Sequence, residues 1–279
     1  NLLEMSGTED HHVTTLRLGF VGCGKITCAV ASGFCSEGGH QPVRVTVSPR
    51  NEQKAASLKA KFPDLITVAS SNQQVLDESD VVFVGLLPDH AEELMPELKF
   101  RPDQFVVSMM ATKTHADVIR LTGLPADQCV RSVPLPATSK RQGPVLLFPP
   151  NKRAEALYSA IGTPVSLEDE GQMKIVLCFT SLISPFYALL DECAGWAERA
   201  GADRKAAGAY VGAFFSALAN SAKETPGDEF RDLVEEAATP GGLNEQSLKA
   251  LNEAGVFKHF AKACSAILER QGGTPPPDH

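Results

Sequence analysis

Leu16-Arg17-Leu18-Gly19-Phe20-Val21-Gly22-Cys23-Gly24-Lys25-Ile26-Thr27 runs an apolar strand straight into two glycines one residue apart, and a helix-forming segment, 28–35, follows. A dinucleotide needs this order of parts. Gly22 permits the tight turn, and Gly24 carries no side chain to block a pyrophosphate. The helix start beyond them offers unpaired N–H groups and partial positive charge. The third small residue of the usual fingerprint is here Thr27. A lone Gly-x-Gly also serves as an ordinary strand–helix turn. Its place behind the first strand of an alternating β/α chain turns the reading toward a nucleotide. Gly22, Cys23, Gly24, Lys25 and Ile26 are the first candidate cofactor contacts.

Working outward, apolar runs alternate with amphipathic segments through the first 165 residues. Strands are predicted at 17–21, 43–47, 66–68, 81–86, 105–109, 129–133, 145–148 and 164–166. Helices are predicted between most of them, at 26–35, 52–61, 72–77, 91–98, 115–121 and 152–161. The pattern implies a mostly parallel, doubly wound α/β sheet of the Rossmann type. After Leu167 apolar residues recur only at helical spacing, as in Ile175, Leu182, Phe186, Leu189 and Leu190, then Ala209, Ala213, Phe214 and Leu218. Helices at 229–237, 244–254 and 257–270 complete an all-α C-terminal half. The expected organisation is a disordered leader at 1–15, a dinucleotide-binding domain at 16–167, a helical domain at 168–270 and a flexible tail at 271–279.

Composition narrows the partners. Of the 279 residues 43% are hydrophobic and the net charge is −8, with a pI near 5.4, which argues against nucleic acid or an anionic membrane. No uninterrupted apolar run reaches the roughly 18 residues that span a bilayer. The leader is polar and acidic, unlike a signal or transit peptide. The seven cysteines include no C-x-x-C pair, and Cys129, Cys178 and Cys193 lie in apolar segments. Reduced, buried thiols and a cytoplasmic location are expected.

The second strand ends Val47-Ser48-Pro49-Arg50-Asn51, with no carboxylate before Glu52. An acidic residue there would hold the ribose 2′-hydroxyl of NAD. A hydroxyl and an arginine suit a 2′-phosphate instead, because guanidinium pairs with phosphate through charge-assisted hydrogen bonds. Ser48 or Asn51 also serves as a helix cap, a role compatible with phosphate binding. NADPH is the expected cofactor, with NADH as the alternative.

Farther on stands Ala238-Thr239-Pro240-Gly241-Gly242-Leu243-Asn244-Glu245-Gln246. Pro and two glycines ahead of a helix are explained by backbone angles alone. Bare N–H groups at such a start also make an anion site sized for a carboxylate, with Thr239 adding a hydroxyl. With this segment the chain resembles the pyrroline-5-carboxylate reductase family, whose last helical region carries a Ser/Thr-Pro-Gly-Gly motif. The resemblance extends over nearly the whole chain, through 19–24, 80–84 leading to Pro88, Ser108 with Ala111, Pro134, Gly143, Pro185 with Tyr187, and Gly201. It implies a homodimer with interleaved helical domains that reduces a cyclic imine to proline with NADPH or NADH. It also implies cofactor contacts at Leu86, Leu87, Pro88 and Ala111 behind the fourth and fifth strands. A small imino acid would be held at Thr239, Gly241, Gly242, Leu243 and Asn244, with Asn244 and Thr239 serving the reaction.

The chain departs from the family at the substrate end. Asn244 stands where members usually carry a threonine, and its amide cannot act as a practical acid near neutral pH. Pro134-Leu135-Pro136 replaces Pro-Asn-Thr, Ser181-Leu182-Ile183-Ser184-Pro185 replaces Ser-Gly-Ser-Gly-Pro, and Leu87 replaces a lysine. No Ser–His–Asp or metal constellation is visible, which suits imine reduction, where positioning and electrostatics carry the step. His11 and His12 lie in the leader, and His40, His115 and His259 read as solvated or capping. His90, at the carboxyl end of a strand, is the histidine placed where ligands bind. Tyr187 reads as packing, and Glu192, Glu198, Asp203 and Lys205 as solvated helix faces. Three functions stay open: reduction of 1-pyrroline-5-carboxylate, reduction of another imine or carbonyl, and a catalytically silent NADP-binding regulator.

Overall fold

The computed structural model describes residues 15–37, 42–227 and 229–277; residues 1–14 of the leader with His11 and His12, then His40 and the last two residues of the tail, lie outside them. The chain divides into two compact units at Glu170 and Gly171.

The first unit alternates β1 (Leu16–Val21), α1 (Lys25–Cys35), β2 (Val43–Val47), α2 (Glu52–Lys61), β3 (Ile66–Val68), α3 (Asn72–Asp77), β4 (Val81–Val84) and α4 (Pro88–Leu94). It continues with β5 (Phe105–Ser108), α5 (His115–Thr122), β6 (Cys129–Pro134), β7 (Pro144–Phe148), α6 (Lys152–Ser159) and β8 (Thr163–Ser166). One sheet of order β3-β2-β1-β4-β5-β6-β7-β8 results. Every pairing is parallel except β6 with β7. Strands covered on both faces are mostly apolar, and all four residues of β4 are fully buried. On one face α1, α2 and α6 supply Val30, Phe34, Ala55, Leu58, Leu157 and Tyr158 to a single core. On the other, α3, α4 and α5 supply Val75, Leu76, Ala91, Val118 and Leu121. Phe20 and Phe83 stack at 4.7 Å in the first core. The buried Tyr158 hydroxyl is satisfied there by Ser132 at 2.7 Å.

Two boundaries behind the fourth strand shift from the expectation. β4 ends at Val84, so Gly85, Leu86 and Leu87 form a loop. The helix behind it starts at Pro88 rather than Ala91, because proline is preorganised for the first helical position. The same helix passes into a 3₁₀ turn at Met95–Glu97. The chain order reverses between β1 and β4, which opens a crevice at the carboxyl ends of those strands.

Thr27 is accommodated by a small residue on the opposite side. The third glycine of the fingerprint allows helix and strand to approach closely. Here the glycine is Gly85, where an added Cβ would collide with Thr27 Oγ1.

The second unit holds α7 (Gln172–Leu177), a 3₁₀ turn (Cys178–Leu182), α8 (Ile183–Arg199), α9 (Arg204–Glu224), α10 (Phe230–Ala237), α11 (Leu243–Glu253) and α12 (Val256–Arg270). It has almost no core of its own. No described residue of α9, α10 or α11 is buried, and Trp196, Tyr210, Phe214, Leu218 and Phe257 are exposed. The helical run Gln172–Arg199 contains a window of mean hydropathy 1.7 that is only 11% buried. This run meets a membrane criterion by length and composition, while its uncharged stretch, 175–190, stays short of the roughly 18 residues that span a bilayer. Lys174, Asp191 and Glu192 interrupt its apolar stretch near the ends.

The packing of Gly85 on Thr27 can be tested by a double-mutant cycle. Gly85→Ala should destabilise the first unit by about 1–3 kcal/mol through overpacking. Adding Thr27→Ala should restore most of that loss, because the Thr27 Cβ lies 3.8 Å away, in ordinary contact. Denaturant midpoints in which the two changes simply add would contradict it.

Candidate active site

The glycine turn is built from strand β1 outward. Gly22 takes φ +93°, and a Cβ there would lie 2.5 Å from the Gly85 carbonyl, so only glycine fits. Its N–H donates to Ser48 Oγ at 3.0 Å, and Ser48 Oγ donates in turn to Asn72 Oδ1. Gly24 is the N-cap of α1, with no side-chain cap and no acidic residue in the first turn. A methyl built at Gly24 would meet no atom within 4 Å. The helix start therefore presents its first amides, at Lys25, Ile26 and Thr27, without a carboxylate against them. A pyrophosphate fits this cradle.

Ser48 has a different task from the one expected. It is 1% exposed, and its hydroxyl is committed to Gly22 and Asn72, so it braces the glycine turn instead of facing a phosphate. Arg50 stays exposed at the end of β2, 3.5 Å from His90 Nε2 in the first turn of α4. Asn51 caps α2 by accepting from the Lys54 N–H at 3.2 Å. His90 thus belongs with Arg50 on the flank of the crevice. Leu86 is half-buried, Leu87 is exposed at the N-cap of α4, and Pro88 opens that helix.

Ala111 follows β5 and is held by a residue the sequence reading passed over. Arg131 lies buried in β6 and donates to the Ala111 carbonyl at 2.9 Å and to Glu170 Oε1 at 2.6 Å. The same carboxylate oxygen accepts from the His115 N–H at 2.7 Å. An arginine inside Cys129-Val130-Arg131-Ser132-Val133 was the available signal, because a buried strand admits a charge only when it is paired. His115 Nε2 lies 2.8 Å from the Cys129 carbonyl, so this histidine is structural.

In the second unit Gly242 N–H donates to the Thr239 carbonyl at 2.9 Å, with Pro240 and a Gly241 at φ +73° between them. These are the features of a type II turn. Gly241 N–H donates to Glu245 Oε2 at 2.7 Å. The expectation of bare glycine amides is corrected here: the two N–H groups are taken by the loop itself. What α11 leaves toward an anion are the amides of Leu243 and Asn244 in its first turn and the Thr239 hydroxyl. Asn244 Nδ2 donates to the Ala237 carbonyl at 3.1 Å, which fixes the amide and leaves Oδ1 as an acceptor. Leu243 is 82% exposed.

The remaining candidates sort simply. Asp203 caps α9 at 2.8 Å, Glu192 pairs with Arg199, and Tyr187 is exposed beside Phe186. His259 lies against the Gly255 carbonyl. All seven cysteines are free, and Cys193 is half-buried rather than buried.

Comparison with known proteins agrees with this division. Residues 17–112 match the family described as NADP oxidoreductase, coenzyme F420-dependent. Residues 170–273 match pyrroline-5-carboxylate reductase dimerisation. The pyrroline-5-carboxylate reductase of Methanosarcina acetivorans is 26% identical over 91% of this chain and 96% of its own. The enzyme of Escherichia coli is 26% identical with the same coverages. The structure of a pyrroline-5-carboxylate reductase from Coxiella burnetii superposes with a TM-score of 0.75 at 23% identity, covering 92% of this chain and 97% of that one. The chain thus joins an NADP oxidoreductase domain to a pyrroline-5-carboxylate reductase dimerisation domain and is similar over nearly its whole length to pyrroline-5-carboxylate reductases.

Proposed function

We propose that the chain reduces a small cyclic imino acid, 1-pyrroline-5-carboxylate to L-proline, with NADPH, and works as a homodimer. The observation that carries this reading is the pairing of a built dinucleotide turn, Gly22–Gly24 braced by Ser48, with a Thr239–Asn244 loop that opens a helix. NADPH, when bound, supplies the hydride. Lys25, Ile26 and Thr27 amides would hold its pyrophosphate, and Arg50, with His90 beside it, its 2′-phosphate. Leu86, Leu87, Pro88 and Ala111 line the strand ends from which the nicotinamide would be supported. Arg131 acts as a positioning residue by fixing the Ala111 carbonyl.

At the substrate end the Thr239 hydroxyl and the Leu243 and Asn244 amides would hold the carboxylate, while Gly241 and Gly242 shape the turn. Asn244 Oδ1 accepts from the N–H of the protonated imine and of the product amine. The amide releases no proton, so the nitrogen must arrive protonated from water. The apolar helices of 171–279 supply the surface that a second copy covers, in keeping with the dimerisation match. A second reading, reduction of a different imine, is favoured by Leu182, a bulky residue where the family carries a glycine, and by the bulky Ile183 beside it.

A panel of imines followed by NADPH oxidation tests the proposal and separates the two readings. Pyrroline-5-carboxylate should turn over faster than its 2-carboxylate isomer, and pyrroline without a carboxylate should show a raised KM. Asn244→Ala should lower kcat about tenfold, the loss of one hydrogen bond of roughly 1–1.5 kcal/mol. Its pH–rate profile should keep both limbs, and Asn244→Thr should recover part of the rate. Bound NADPH with no turnover of any imine would contradict enzymatic function.

Cofactor choice gives a separate test. Arg50→Ala should weaken NADPH by about one to two decades, the value of a charge-assisted contact of roughly 1.5–3 kcal/mol, and leave NADH unchanged. Equal affinities for the two cofactors in the unmodified protein would overturn the assignment.

A further inference from the structure

Cys23 and Cys28 meet beside the glycine turn, with their sulfurs 3.6 Å apart. Cys23 is the residue between the two glycines. Because Gly24 caps α1, Cys23 precedes the cap and Cys28 is the fourth helical residue. These are the positions at which an apolar pair staples a chain to the helix it enters. Here both members of the staple are thiols. Cys23 is buried, whereas Cys28 is partly exposed. Cys28 shares a cleft of about 400 Å³ with Lys25, Ser32, Lys54, Ser57 and Lys61. The hydrogen bond between the two thiols, aided by the Lys54 charge, holds the Cys28 thiol below its ordinary value. The same bond and burial push Cys23 up. An accessible thiolate with a protonated thiol in contact is the arrangement of an attacking and a resolving cysteine.

We propose that Cys23 and Cys28 form a reversible disulfide that closes the glycine turn to its dinucleotide, making the turn a redox modification site. The inference rests on the reading of this turn as the NADPH site. The oxidant is hydrogen peroxide. The Cys28 thiolate attacks one peroxide oxygen, an S–O bond forms, the O–O bond breaks, and the departing hydroxide takes up a proton and leaves as water. The Cys23 sulfur then attacks the Cys28 sulfur and gives up its proton. An S–S bond forms, the S–O bond breaks, and a second water leaves. Two thiols lose two electrons and the peroxide gains them.

A disulfide bond is about 2.05 Å long, so the sulfurs must close by about 1.5 Å from their 3.6 Å separation. Cys28 is held in the helix by its N–H bond to the Gly24 carbonyl at 3.0 Å. The movement therefore falls on the turn, where the Gly22–Gly24 backbone is what a pyrophosphate would approach. The covalent staple distorts the cofactor cradle.

The test uses the full chain, hydrogen peroxide and NADPH. Peptide mapping under non-reducing conditions should find the peptide carrying Cys23 and Cys28 lighter by two hydrogens after peroxide. NADPH affinity, read from nicotinamide fluorescence, should fall at least about tenfold and return with dithiothreitol. NADPH bound beforehand should slow the oxidation. Cys28→Ser should bind NADPH like the unmodified protein and ignore peroxide. Reduced protein that binds NADPH but never yields the Cys23–Cys28 disulfide overturns the proposal, as does a disulfide that leaves NADPH affinity unchanged. Peroxide sensitivity that persists in Cys28→Ser places the effect at another cysteine and overturns it too. Reduced protein that fails to bind NADPH contradicts the cofactor reading, a result the disulfide map keeps separate.

Discussion

The helices of residues 171–279 leave much of their apolar surface uncovered by one another, and this constraint governs the rest of the molecule. The two large cores lie entirely in the first unit. In the second, Trp196, Tyr210, Phe214, Leu218 and Phe257 face outward. Burying a large apolar side chain contributes about 1.5–3 kcal/mol, so a handful of such residues represents free energy comparable to the typical margin of a folded domain. A chain that leaves this much uncovered must find a matching surface, and a second copy carries one by symmetry. The same reasoning accounts for the run Gln172–Arg199, whose apolar length satisfies a membrane criterion and whose polar ends and dimerisation match point to another protein surface.

The first unit solves the opposite problem. It is self-sufficient, and its sheet is apolar on both faces, so polar function is confined to the carboxyl ends of the strands. There the backbone of one loop is braced by the side chains of others. Gly22 leans on Ser48, Ser48 on Asn72, and Ala111 on Arg131. Each brace spans two elements. The crevice is consequently preorganised before any ligand arrives, which suits a reaction that depends on placing a hydride donor over one face of a substrate.

This distinction also explains what was legible in the sequence. Continuous apolar runs such as Val81–Val84 predicted the strands because a doubly covered strand admits a polar residue only with a partner. Phe214 and Leu218 predicted an apolar face because helical periodicity is local. The braces were not legible. Ser48 and Arg50 look alike as polar residues at a strand end, and only the packing decides that one is buried against Gly22 while the other stays outside. Gly85 carries the small-residue role that the fingerprint assigns to the position of Thr27, a compensation between residues far apart in the chain. Glu245 on the Gly241 amide was hidden for a related reason: a helix start that can hold a foreign carboxylate can hold one of its own.

The account depends most directly on completion of the helical half by a second copy. Sedimentation equilibrium of the full chain at low micromolar concentration measures this without reference to any substrate. The account predicts a mass of twice the 29.8 kDa of one chain, or a multiple of that dimer. A fully folded, helical particle of 29.8 kDa would contradict it.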